Sequence, residues 1–141
     1  MLLHVPRAVR GGAALIAALA IGGCSIGSDD EPRPSGRQAA EIDQVFQALE
    51  RATRERDFRT ICNELFSSTA RRRAGGRGCV RLLRSNAREV RRPRIELVDI
   101  RLKKGGADVR VRTRAAGQRP LEDEIELVRE RGEYRIQALA G

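Results

Sequence analysis

Histidine is almost absent from this 141-residue chain: the single one is His4, and nothing after it supplies an imidazole. That excludes a Ser-His or Cys-His nucleophile pair and the usual zinc and transition-metal ligand sets. Aromatics are nearly as scarce, with no tryptophan and only Phe46, Phe58, Phe66 and Tyr134. The stacking platforms that hold single-stranded nucleic acid are therefore missing, and no nucleic-acid partner is expected. Neither a Walker-type phosphate loop nor a Rossmann fingerprint occurs; Gly75-Gly76-Arg77-Gly78 lacks the lysine and serine that a P-loop requires. No cofactor, metal or catalytic motif is expected from these residues. The apolar run Gly11–Gly23 has 13 residues, bounded by Arg10 and by Asp29, Asp30 and Glu31. It falls short of the ~20 residues of a membrane-spanning helix.

That run has a different use. Arg7 and Arg10 precede an Ala/Leu/Ile core and small residues follow, the pattern of a secretory signal peptide over residues 1–23. Ala18-Leu19-Ala20 fits cleavage by ordinary signal peptidase, which would give a secreted product. Ile21-Gly22-Gly23-Cys24 instead resembles the lipobox of bacterial lipoproteins, which implies a diacylglycerol thioether on Cys24 as the new N-terminus. Cysteine counting favours the lipid. With Cys24, Cys62 and Cys79 in an exported chain, one thiol is left over, and lipidating Cys24 leaves two that can pair. Residues 24–37 then form a lipidated tether rich in Pro, Gly, Ser and charge, and residues 38–141 a single domain. The expected location is the extracytoplasmic face of the cell membrane, with the membrane itself as first partner.

From Cys24 onward there are 26 basic and 19 acidic residues, a net charge of about +7. Only Lys103 and Lys104 are not arginine. The charge is blocky: residues 67–119 hold 17 bases and 4 acids, while residues 24–66 and 120–141 are each net −3. Such a field can attract anionic lipid or wall polymer, or be neutralised within the fold.

Ser35 with Gln38 predicts a capping box, followed by an apolar stripe Ile42, Val45, Phe46, Leu49, Ala52. Asp57 predicts the cap of a second helix carrying Phe58, Ile61, Cys62, Leu65, Phe66 and Thr69, fraying through Arg71-Arg72-Arg73 to Gly75-Gly76. The three arginines there suit the negative end of the helix dipole. A third helix is expected from Arg77 to Val90, with Cys79, Leu82, Leu83, Asn86 and Val90 on one face and Pro93 ending it. Asn86 is then either a core amide or a pocket residue. Placed on consecutive buried stripes of an exported protein, Cys62 and Cys79 are expected to form a disulfide.

After Pro93 the period becomes two. Ile95 and Leu97, then Val98, Ile100 and Leu102, alternate with charge, and the phase slip predicts a β-bulge. A Gly105-Gly106 hairpin turn would pair Leu102 with Val109, Ile100 with Val111 and Val98 with Thr113. A Gly117-Gln118-Arg119 loop would place Arg110 opposite Glu126, Arg112 opposite Glu124 and Arg114 opposite Glu122. Tyr134, Ile136 and Ala138 alternate inward on a last strand.

Three helices followed by a meander of about four antiparallel strands is an α+β order. The chain resembles the NTF2-like (SnoaL-like) superfamily, and more closely small exported NTF2-like lipoproteins of high-GC bacteria. The resemblance rests on Ala48-Leu49, Arg56-Asp57-Phe58, Ile61-Cys62, Gly78-Cys79, Gly105-Gly106-Ala107-Asp108-Val109, Leu127-Val128 and Gly132-Glu133-Tyr134-Arg135-Ile136. It implies a curved sheet wrapped around a long helix to form a cone with a pocket. The His/Asp pair common in the superfamily's catalytic members cannot form here. The leading expectation is a non-enzymatic, membrane-anchored module binding a small apolar ligand or another envelope protein. The alternative is an isomerase- or hydrolase-like enzyme using Asp99 or Tyr134, with Asp99 turned into the concavity at the phase slip, near Thr113 or Tyr134, as a base. The second alternative is a basic module held against anionic lipid or wall polymer.

Overall fold

A computed structural model describes residues 32–140. The expected signal peptide, Cys24 and most of the tether lie outside the described residues. Helix α1 spans Gly36–Glu55 and begins as its sequence dictates: Gln38 N–H donates to Ser35 Oγ at 3.3 Å and Ser35 N–H to Gln38 Oε1 at 3.0 Å. Ile42, Phe46 and Ala52 of its apolar stripe are buried. The helix stops at Arg56, which adopts a left-handed φ of 58°. Asp57 then accepts hydrogen bonds from the Thr60 N–H and hydroxyl.

The second helix is not continuous. It runs as one α turn, α2 (Phe58–Thr60), widens into a π turn over Ile61–Leu65, and breaks at Phe66, whose backbone is extended (φ −78°, ψ 143°). The cause is tertiary: Phe66 makes a parallel bridge to Ile136, and Ser67 N–H donates to the Ile136 carbonyl at 2.9 Å. Ser67, with no exposed surface, then caps the short helix α3 (Ser68–Arg73) by accepting from Ala70 N–H at 3.0 Å. A 3₁₀ turn over Gly76–Gly78 leads into α4 (Cys79–Asn86), shorter than the expected 77–90. Its buried face is also rotated: Cys79, Val80, Leu83 and Ala87 meet the core, while Leu82 is 43% exposed and Asn86 is exposed. Asn86 is therefore neither core amide nor pocket residue. Cys62 and Cys79 are joined by a disulfide with Cα atoms 6.2 Å apart, as expected.

The sheet is an antiparallel meander in sequence order: β1 (Arg94–Lys103), β2 (Gly106–Arg114), β3 (Leu121–Glu130) and β4 (Glu133–Ala140). Helix α1 packs against both edge strands, β1 and β4. Contact with both edge strands lays the helix across one face of the sheet. The α+β architecture implied by the NTF2-like resemblance is thus present, with Ile42 and Phe46 facing Val109, Val111, Ile125 and Leu127 in one core. Glu50 fastens α1 to β1, accepting from Ile95 N–H at 3.0 Å and Arg94 at 2.8 Å. Burial works against its charge, but these bonds and Arg94 outweigh burial and hold its carboxyl below the ordinary range.

The predicted bulge sits at Val98, between the pairs Leu97–Val111 and Asp99–Arg110. Both hairpin registers differ from expectation by two residues. Lys104-Gly105, not Gly105-Gly106, forms the first turn, so Leu102 pairs with Ala107, Ile100 with Val109 and Ile95 with Thr113. In the second hairpin Arg110 faces Glu124 and Arg112 faces Glu122. An even shift keeps Val109, Val111, Ile125 and Leu127 on their predicted inner face and Arg110 and Arg112 opposite glutamates, but Glu122 faces Arg112 rather than Arg114, and Val98, expected inward, is exposed at the bulge.

Candidate functional site

The central part of the concave face is filled by its own side chains: Ile42, Phe46, Val109, Val111 and Leu127 are 0–1% exposed. Space remains at one end. A cavity of about 470 Å³ lies between Leu49 of α1, Phe66, Ala70 and Ala74 on or beside α3, and Ile125, Ile136 and Ala138 of β3 and β4. The break after Leu65 creates it. By tying Phe66 and Ser67 to β4, the break brings α3 alongside that strand, and two alanines there leave room that larger side chains would fill. Polar groups in the lining are Gln137 and the exposed Arg73. Gln137 is the extra residue where β4 slips against β3, and its Oε1 accepts the Ser67 hydroxyl. No carboxylate, cysteine or tyrosine lines this space.

The four sequence-nominated pocket residues do not converge. Asn86 lies at the exposed end of α4. Asp99 is exposed beside the bulge and pairs with Arg110, so it does not turn into the concavity. Thr113 lies three residues, about 10 Å, further along β2 from Arg110. It is half-buried, and its hydroxyl donates to the Leu121 carbonyl at 3.3 Å. Tyr134 is buried on the inner face three strands from Asp99, at the opposite end of the meander from Thr113. The Arg129 guanidinium stacks on its ring at 4.3 Å, and Arg129 is held in turn by Glu41 at 2.7 Å. That cation–π packing gives Tyr134 a structural task. The residues that do line the cavity were legible only as core, since Leu49, Phe66, Ile125 and Ile136 carry an ordinary apolar pattern.

The basic block divides unevenly: Arg110 and Arg114 of β2 form no ion pair among the described residues, but other strand bases do. Arg94, Arg101, Lys103, Arg112, Arg129 and Arg135, all on strands, each meet a carboxylate. Between Arg71 and Arg92, by contrast, nine arginines accompany a single acid, Glu89. None of those nine forms an ion pair among the described residues. Also among the described residues, no helix is long and apolar enough to cross a membrane, and no group of His, Cys, Asp or Glu could hold a metal.

No family model matches the chain. No curated protein matches it either. Among solved structures it is similar to a de novo designed NTF2 fold protein, NT-9, at 15% identity and a TM-score of 0.46, covering 75% of this chain and 86% of the designed one.

Proposed function

We propose that the protein is a lipid-anchored, extracytoplasmic binding module that holds a small apolar ligand in the cavity between α1, α3 and the β3–β4 end of the sheet. The observation that carries this reading is the cavity's chemistry. Its volume of about 470 Å³ falls within the ~300–1,000 Å³ of small-molecule sites, and its walls are aliphatic apart from Phe66, Gln137 and Arg73. Walls of that kind give affinity by removing apolar surface from water and give Gln137 the task of orienting a single polar group. They offer no proton-transfer partner, and no described cavity holds both Asp99 and Tyr134.

The cavity is tested with the neutral fluorophore N-phenyl-1-naphthylamine on the full mature chain. Its emission should rise saturably, and Ala74→Phe, at a half-exposed position in the lining, should weaken binding about tenfold, or ~1.4 kcal/mol. Melting should be nearly unchanged in that variant. Equal binding by both proteins would remove the cavity as the site.

The anchor is tested separately. In a lipoprotein-processing bacterial host, intact-mass measurement should find an N-terminus at Cys24 bearing a diacylglycerol adduct. Cys24→Ala should move the protein from the detergent phase to the aqueous phase, since two acyl chains supply the durable attachment. An unmodified mature chain beginning at Ile21 would instead establish cleavage after Ala20.

A further inference from the structure

A second cavity, also about 470 Å³, opens on the other side of α3. Arg71 and Arg72 of α3, Arg77 of the 3₁₀ turn, and Arg131 and Arg135 of the β3–β4 hairpin line it, with Cys62 of the disulfide in its wall. Five arginines from three separate segments therefore line one space, and of these Arg72 also donates to Thr69 at 2.9 Å. The helix dipole can account for Arg71 and Arg72 in the last turn of α3, but not for Arg77 or Arg131, which lie outside that helix.

Nearby carboxylates neutralise the group only in part. Glu130 lines the cleft, but its oxygens accept from Ser68 N–H at 3.0 and 3.2 Å and from the Ser68 hydroxyl at 2.8 Å. Those bonds, the hydroxyl first, together with smaller attractions to Arg135 and Arg131, outweigh burial and hold the Glu130 carboxyl below its ordinary range, so one negative charge stays in the cleft against five arginines. Glu133 takes Arg135. Arg71, Arg72, Arg77 and Arg131 are left without a carboxylate among the described residues. Arg131 is also held at a left-handed φ of 55°, a backbone conformation that side chains other than Gly and Asn rarely adopt. The disulfide fixes the floor on which this arrangement stands.

We propose that this arginine cleft binds a phosphate ester. Planar guanidinium forks match phosphate oxygens two at a time, and convergence of several forks replaces the hydration of a multiply charged oxyanion. The site is separate from the apolar cavity, and its failure would leave that reading standing. A phosphate ester can come from a soluble metabolite or from a phospholipid headgroup, and the two are distinguished by the probe.

The experiment uses the full chain carrying Cys24→Ala, so that no acyl anchor contributes, with sn-glycerol 3-phosphate in calorimetry and phosphatidylglycerol or phosphatidylcholine vesicles in sedimentation. Arg77→Gln/Arg131→Gln should weaken binding at least tenfold without lowering the melting temperature. Arg84→Gln/Arg88→Gln removes the same charge from α4 and the turn that follows it, outside the cleft lining, and should change binding less than twofold. Saturable binding of glycerol phosphate assigns a soluble ester. Binding only to phosphatidylglycerol vesicles, with the same dependence on Arg77 and Arg131, assigns a headgroup. Binding to neither, or equal loss in both double variants, would overturn the proposal, since only diffuse charge would then be at work.

Discussion

Replacing both Cys62 and Cys79 with alanine should lower the melting temperature by about 12–24 °C. Closing a loop over their separation of 17 residues removes chain entropy from the unfolded state worth ~3 kcal/mol. For a domain of this size each kcal/mol moves the melting temperature by roughly 4–8 °C. The native state depends on the bond as well. Cys79 is the only fully buried residue of α4, while Leu82 is exposed and Val80 and Leu83 are only partly covered. Few apolar contacts hold α4 once the covalent link is gone, so amide exchange should accelerate first along Cys79–Asn86 and only later in β2 and β3. Dithiothreitol should reproduce the effect in the unaltered protein and change nothing in the double variant. A drop below about 3 °C would show that helix packing, not the disulfide, fixes α4.

Gly106→Ala should destabilise the domain by about 3 kcal/mol or more, at or beyond the upper end of ordinary overpacking. A Cβ at this position would lie 2.0 Å from the Leu127 carbonyl oxygen and 3.2 Å from Val128 Cα. Both obstacles are backbone of the paired strand, so relief requires β2 and β3 to separate in the middle of the sheet. Gly105→Ala is the matched control. Its φ of 78° is left-handed but nothing lies within 4 Å of a built Cβ, so the expected loss is only about 1–2 kcal/mol. Urea unfolding of the two variants separates the mechanisms. Equal losses would show that turn conformation, not the approach of β3, makes glycine necessary at 106.

The same pair of glycines shows why the fold could be read further than its registers. Two adjacent glycines look like a two-residue turn, but only Gly105 serves one. Gly106 is required by an atom 21 residues away, which no local pattern reports. The start and apolar stripe of helix α1 were readable because its cap and stripe join near neighbours. The break after Leu65 was not, since it depends on the Ile136 carbonyl; Ser67-Ser68 inside an apolar stripe was the available hint, as serine favours helix caps over helix interiors. At the sites the contrast is greater. Asp99 and Tyr134 were chosen for chemistry, and the sheet puts them on opposite faces. The arginines were visible as charge, but which of them lack a carboxylate is decided by cross-strand partners and by Glu130 turning to Ser68.

Strand β1 is a ten-residue edge of the sheet, covered in part where Glu50 accepts the Ile95 N–H, and such an edge invites pairing with a neighbouring copy when molecules are crowded. The bulge at Val98 divides that edge into Arg94–Leu97 and Asp99–Lys103, so a continuous ladder from another chain loses register after four or five residues. Arg94, Glu96, Asp99, Arg101 and Lys103 further charge the short pieces that remain. The phase slip between Leu97 and Val98 thereby limits how long a ladder a neighbouring copy can build on this edge.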